Sequence, residues 1–274
     1  STPIKSSAAS DVYKRQLLDM LDDGTFLSIA EEWGLEESIC LSADNVVNDS
    51  DLAVDKGNFF VELGSVVSKL AEGMLASLAI FVLTLVFSLP LGLLLMFVRL
   101  SKVNVIRWIA KIYISIMRGT PLMLQLLVVF FGPYYVFGIS LSYSYILYAV
   151  IIGFALNYAA YFAEIFRSGI QAIPAGQSEA ATVLGYTRAQ TFVRIILPQM
   201  TRIVLPPVTN EVITLVKDTS LAFALAYTEM FTLAKQIAAA SASIMPLFIA
   251  GAFYYIFNFI VAWIMEYIEK KMRY

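Results

Sequence analysis

LAEGMLASLAIFVLTLVFSLPLGLLLMFV, residues 70–98, carries no charge between Glu72 and Arg99. At about 1.5 Å of rise per helical residue, such a stretch covers the roughly 30 Å hydrocarbon core of a bilayer. Lipid offers no partner to backbone N–H and C=O groups, so a single span of this composition must be helical. Four more apolar stretches follow, near 121–133, 145–167, 195–216 and 245–267. The expected fold is an all-α membrane protein with about five transmembrane helices. Composition agrees, since 59% of the 274 residues are hydrophobic and 15% charged, against roughly half and a quarter in soluble domains.

Basic residues mark one side of the membrane. Arg99, Lys102, Arg107 and Lys111 follow the first span, and Lys270, Lys271 and Arg273 close the chain. The positive-inside rule puts those ends in the cytoplasm and the N-terminus outside, as an odd number of spans requires. Between residues 103 and 118, Ile106, Ala110, Tyr113 and Met117 form an apolar stripe opposite Asn104, Arg107, Lys111, Ser115 and Arg118. That pattern predicts a helix lying in the cytoplasmic interface. Thr120 is expected to cap the next helix, with Pro121 at its first position.

The region before the first span has another character. Residues 17–64 hold twelve acidic side chains against one base, Lys56. Residues 1–16, STPIKSSAASDVYKRQ, show neither the apolar core of a signal peptide nor a fold pattern, and are read as extraneous sequence. Around the DDGT turn at 22–25 the apolar spacing predicts two short amphipathic helices. Residues 35–58, rich in Ser, Asp and Asn, have the composition of a solvated linker. The single Cys40 excludes an internal disulfide, and a chain without His has no zinc-type cluster. No metal site and no nucleic-acid partner are expected.

The cytoplasmic loop 171–198 is the most specific feature. It contains IPAGQSEAATVLGYTRAQTFVRIILP, whose grammar is two short helices joined at a glycine. Pro174 can start the first, Gly185 can end it in a left-handed turn, and Thr187 with Gln190 can form a capping box for the second. Such a knob is stiff enough to pass a partner's movement into the membrane. Glu179-Ala180-Ala181, Gly185, Ile195, Leu197 and Pro198 are similar, position for position, to the EAA loop of binding-protein-dependent ABC importers. RGTPLMLQL (118–126), YFAEIFRSGI (161–170) and NEVITLVKDTSL (210–221) resemble signatures of the family's amino-acid branch, so the likeness spans about residues 70–270.

That resemblance implies a type I, MetI-like permease architecture in a bacterial plasma (inner) membrane. It implies that Glu179, Ala180, Ala181, Gly185, Leu197 and Pro198 couple to an ATPase. The implied partners are two ABC ATPase subunits carrying ATP and Mg, a second permease copy and an extracellular substrate-binding domain. The implied cargo is a polar amino acid of the glutamine, arginine, histidine or glutamate type. Residues 17–33 resemble the C-terminus of an extracellular amino-acid-binding protein, which makes residues 17–58 a remnant of that domain plus the acidic linker and 59–274 the permease domain. No G-x-x-x-x-G-K-[ST] occurs in the chain, so the ATP site belongs to a separate protein. The chain is not expected to be an enzyme by itself, nor to hold a cofactor.

Ionisable groups at membrane depth cost about 2.5–3.5 kcal/mol on insertion scales, so each needs a reason. Glu164 has two readings, an i,i+3 ion pair with Arg167 or a carboxylate lining a path. Asn157 either bonds a substrate or ties neighbouring helices. Pro206-Pro207 is expected to interrupt the fourth span, after which Asn210, Thr214 and Lys217 share one face and Glu211 and Asp218 an adjacent one. Glu211, with Asn210 and Thr214, suits an amino acid's charged groups. Lys217 and Asp218 either belong to that strip or sit at the outer boundary. Arg118, beside Pro121, is an anchor or part of a gate. The rival function is an ion-coupled secondary amino-acid transporter with Glu164 and Glu211 as coupling groups.

Overall fold

The computed structural model describes residues 59–139, 142 and 144–272, together with residues 20, 23–25 and 28. At the DDGT segment Gly24 adopts φ 76° and the Thr25 N–H donates to Asp23 Oδ1 at 2.8 Å. The expected flanking helices, the linker and residues 1–16 lie outside the described residues.

Helix α1 (Phe59–Arg99) runs for 41 residues and continues through Pro90. Helix α2 (Asn104–Gly119) meets α3 (Leu122–Phe137) at a bend of 114°. Helix α4 (Tyr145–Gln171) returns and leads into short α5 (Ala175–Val183) and α6 (Arg188–Thr191). A π-helical turn, Phe192–Ile196, joins α6 without a break to α7 (Leu197–Asp218), which tightens into a 3-10 segment over Thr219–Leu225. Helices α8 (Met230–Ser241) and α9 (Met245–Met272) complete the described chain.

Helix α4 is the axis of the bundle. Of its most apolar window 67% is buried, against 28% for α1 and 17% for α9. Between helices in lipid there is little hydrophobic drive, so close approach rests on small side chains. Ala155, Ala159, Ala160 and Ala163 of α4 are all buried. Opposite them, a Cβ on Gly92 would lie 2.8 Å from Phe162 Cβ and 3.1 Å from the Ala159 carbonyl oxygen. The core then fills with Phe154, Tyr158 and Phe162 of α4, Leu126 of α3, and Leu215 and Val216 of α7.

By length and composition α1, α4 and α9 can cross a membrane, and the bent pair α2–α3 would count as a fourth only if its two helices formed one span. The two other expected spans differ for separate reasons. Helix α3 has 16 residues, about 24 Å at 1.5 Å each. Helix α7 holds Arg202, Glu211, Lys217 and Asp218 within its 22 residues, which removes it from the class of plain apolar rods.

Two local expectations are corrected. Thr120 does not start α3 but is the C-cap of α2: its hydroxyl donates back to the Ile116 carbonyl at 2.8 Å, and Pro121 takes the N-cap position of α3, its carbonyl accepting from the Leu124 and Gln125 N–H groups. Pro206-Pro207 does not break the fourth helix, which runs through both. Their missing N–H groups deprive only the carbonyls four residues back, those of Arg202 and Ile203.

Candidate functional site

The loop that follows α4 folds from its own capping signals. Gly185 sits at φ 80°, with the Tyr186 N–H on the Ala181 carbonyl and the Gly185 N–H on the Thr182 carbonyl, both at 3.0 Å. This double closure is a Schellman turn, and the positive φ is what requires glycine. Thr187 and Gln190 form the reciprocal capping box that starts α6. Of the EAA residues, Glu179 and Ala180 are exposed whereas Ala181 is buried within the chain. Val183 and Leu184, which sequence reasoning passed over, are 87% and 74% exposed. Two large apolar side chains at the tip of a rigid knob form a surface that contact with another protein would cover.

Leu197 and Pro198 lie where the π turn becomes α7. The Leu197 N–H reaches back to the Phe192 carbonyl, and Pro198 brings no N–H of its own. Next to it, Gln199 donates its side-chain amide to the Ile195 carbonyl at 2.9 Å. The knob therefore feeds directly into the helix that bears the polar strip.

On α7 the strip is arranged as the spacing predicts, with Asn210, Thr214 and Lys217 exposed and Glu211 and Asp218 half-buried. Thr214 Oγ1 donates to the Asn210 carbonyl at 2.9 Å. No hydrogen bond or ion pair to Glu211 occurs among the described residues. Asp218 accepts a 2.7 Å hydrogen bond from Tyr158, which ties the end of α7 to the middle of α4 by residue count. Tyr158 neighbours Tyr161, with ring centroids 6.2 Å apart, and the Arg118 guanidinium lies 5.3 Å over the Tyr161 ring. Arg118 is also within electrostatic range of Glu211 and Glu164. Arg118, Tyr161, Tyr158, Asp218 and Glu211 thus form one polar line from the α2–α3 corner to the end of α7.

The other intramembrane candidates are engaged elsewhere. Glu164 pairs with Arg167, which also donates to Gln171. Asn157 is buried and donates to Gln125 Oε1 at 2.8 Å and to the Met117 carbonyl at 3.1 Å. Gln125 in turn donates to the carbonyls of Met117 and Thr120 at 2.9 and 3.1 Å. These two amides satisfy carbonyls left open where α2 ends, holding the corner beside Pro121 shut. Gln125, a single amide within the apolar run LMLQLL, is a signal that the sequence reading left unused.

A further buried cluster escaped sequence reasoning. Glu229, fully buried, caps α8 by accepting from the N–H groups of Phe231 and Thr232 at 2.7 and 2.8 Å. It also accepts from the hydroxyls of Thr232, Ser77 of α1 and Tyr254 of α9 at 3.0, 3.2 and 3.1 Å. One carboxylate thus ties three helices.

The profile described as "Binding-protein-dependent transport system inner membrane component" matches residues 88–274. The L-cystine transport system permease protein TcyB of Bacillus subtilis (strain 168) is 36% identical over 205 residues, 74% of this chain and 86% of that protein. The arginine transport system permease protein ArtQ of the same organism is 36% identical over 203 residues, 74% of this chain and 91% of that protein. Among solved structures, the crystal structure of an amino acid ABC transporter with histidines matches with a TM-score of 0.68 at 28% identity, over 77% of this chain and 96% of that one. The inward-facing MetNI methionine ABC transporter matches with a TM-score of 0.59 at 18% identity, over 74% and 94%, a likeness of fold.

Proposed function

The chain belongs to the family of binding-protein-dependent transport system inner membrane components, and from that premise we propose that it forms the translocation path for a polar amino acid and couples that path to a separate ATPase. It is a helical inner-membrane permease and not itself the ATP-hydrolysing subunit. Members of this family work with ATPase and binding-protein partners. In this reading the knob around Glu179, Ala180, Ala181 and Gly185 seats on one of two ATPase subunits, where ATP and Mg act. Leu197 and Pro198 carry the motion into α7, and a second permease copy completes the path. The N-terminus lies outside and the C-terminus inside. Residues 17–58 are the remnant of an upstream binding domain with its linker.

The observation that carries the proposal is the unbroken run from capped knob through π turn to the polar strip of α7. Glu211, half-buried without a hydrogen-bonded partner, receives the substrate ammonium, with Asn210 and Thr214 flanking it. Lys217 and Arg118 supply positive charge for the carboxylate. Asn157 and Glu164 act on the helices rather than on the substrate, being held by Gln125 and Arg167.

The test is uptake into proteoliposomes containing this permease, its ATPase and its binding protein, with and without internal ATP. Uptake that requires ATP and is competed by one polar amino acid is the expected result. Uptake that follows an imposed proton or sodium gradient without ATP overturns the proposal and returns Glu164 and Glu211 to the role of ion-coupling groups.

A further inference from the structure

Acidic residues stop at Glu72 and resume at Glu164, and the charges between them are Arg99, Lys102, Arg107, Lys111 and Arg118. Helix α2 sorts this stretch into three faces. Ala110 and Ile114 are buried, with Tyr113 and Met117 half-buried beside them, where α2 packs on α1 and α4. Val105, Ile109, Ile112 and Ile116, at i, i+4, i+7 and i+11, make a second stripe that the fold leaves exposed. Asn104, Arg107, Lys111, Ser115 and Arg118 make a third, also exposed. Trp108, 63% exposed, falls between the apolar and basic stripes. No carboxylate among the described residues pairs with Lys102, Arg107 or Lys111.

The bend supplies the orientation. With α3 along the bilayer normal, a turn of 114° lays α2 close to the membrane plane. An in-plane helix with one apolar stripe, one basic stripe and a tryptophan between them is matched to the boundary between acyl chains and headgroups. Three bases, Lys102, Arg107 and Lys111, with no carboxylate paired to them among the described residues select headgroups of negative charge.

We infer that α2 binds anionic phospholipid headgroups through Lys102, Arg107 and Lys111, and that this contact sets the position of the α2–α3 corner against α4. The second half rests on two contacts. The Met117 carbonyl at the end of α2 is gripped by Gln125 and Asn157, and the adjacent Arg118 lies over Tyr161 of α4. A lipid that pulls α2 toward the headgroups therefore shifts the start of the polar line.

Trp108 provides the probe. In the full complex carrying Trp33→Phe and Trp263→Phe, its fluorescence is followed in vesicles containing brominated phosphatidylglycerol or brominated phosphatidylcholine. The expected result is preferential quenching by the anionic lipid, weakened by salt. Neutralising Arg107→Gln and Lys111→Gln lowers the preference by about fivefold per charge at low salt. Equal quenching by both lipids overturns the inference, and so does quenching by neither, which means that a protein partner covers the face. This readout does not depend on transport. The effect on the corner, which rests on the permease reading, is read separately as faster uptake in anionic vesicles, abolished in the double variant. Anionic quenching with uptake indifferent to lipid charge refutes that half alone.

Discussion

Glu229→Ala tests whether the packing of α1, α8 and α9 hangs on one carboxylate. The side chain caps α8, and loss of an N-cap costs about 0.5–2 kcal/mol. Removing it also strips acceptors from the Ser77 and Tyr254 hydroxyls, and an unsatisfied buried donor costs about 1–3 kcal/mol. The hydroxyls can rotate, so the low end of that range applies to each and the total comes to about 2.5–4 kcal/mol. Glu229→Gln keeps one oxygen for Thr232 but turns an amide toward the Phe231 N–H, for an expected loss of about 1–3 kcal/mol. The assay is reversible unfolding of the purified permease in mixed SDS micelles, followed by tryptophan fluorescence. Tyr254→Phe, costly alone by about 1 kcal/mol, should cost almost nothing in the Glu229→Ala background, because the two groups share one bond. An alanine variant within about 0.5 kcal/mol of the parent, or strict additivity with Tyr254→Phe, refutes the reasoning.

Four other outcomes follow from the same geometry. Gly185→Ala meets open space but a φ of 80°, so it should strain the knob by about 1–2 kcal/mol and reduce ATPase coupling. Gly185→Asn, which tolerates that region, should lie nearer the parent, and equal impairment in both refutes the conformational account. Glu179→Lys, on an exposed residue, should leave unfolding midpoints unchanged while abolishing stimulated ATPase activity and uptake; survival of both activities excludes a docking role. Glu211→Gln should raise the uptake KM by about 10- to 100-fold, the value of a charged hydrogen bond, and an unchanged KM removes Glu211 from the path. Gly92→Ala, whose Cβ would meet Phe162 at 2.8 Å, should destabilise by about 1–3 kcal/mol through overpacking, and a neutral result shows that α1 and α4 can separate freely.

What the sequence disclosed was mostly local. The capping box of Thr187 and Gln190, the left-handed Gly185 and the Glu164–Arg167 pair each depend on residues three to five apart, so spacing alone predicts them. The polar strip of α7 was likewise readable from helical periodicity. Its attachment to α4 was not, because that is made by the Tyr158–Asp218 bond between residues 60 apart. Glu229 is equally opaque, since its partners Ser77 and Tyr254 come from the first and last helices. The errors at Thr120 and Pro206-Pro207 have another origin. There a local rule was sound, but the folded chain found a different solution: Gln125 closes the corner, and α7 continues as one helix through its prolines.

The proline result changes how force can travel. A helix broken at 206–207 would absorb a push from the knob at the break. A continuous α7 of 22 residues delivers it over about 33 Å. The weak points are then defined: the π turn at Phe192–Ile196, where Gln199 supplies a side-chain bond to the Ile195 carbonyl, and the stretch where the Arg202 and Ile203 carbonyls have lost their i+4 donors. Between and beyond these the helix runs without interruption, and its far end is fastened by Asp218 to Tyr158 of α4. Displacement of Glu179 therefore either rotates the strip bearing Asn210, Glu211 and Thr214 as one body, or bends α7 at one of those two places. In both cases Asp218 is the pivot, and the side chains that move most lie on the face that α4 leaves open.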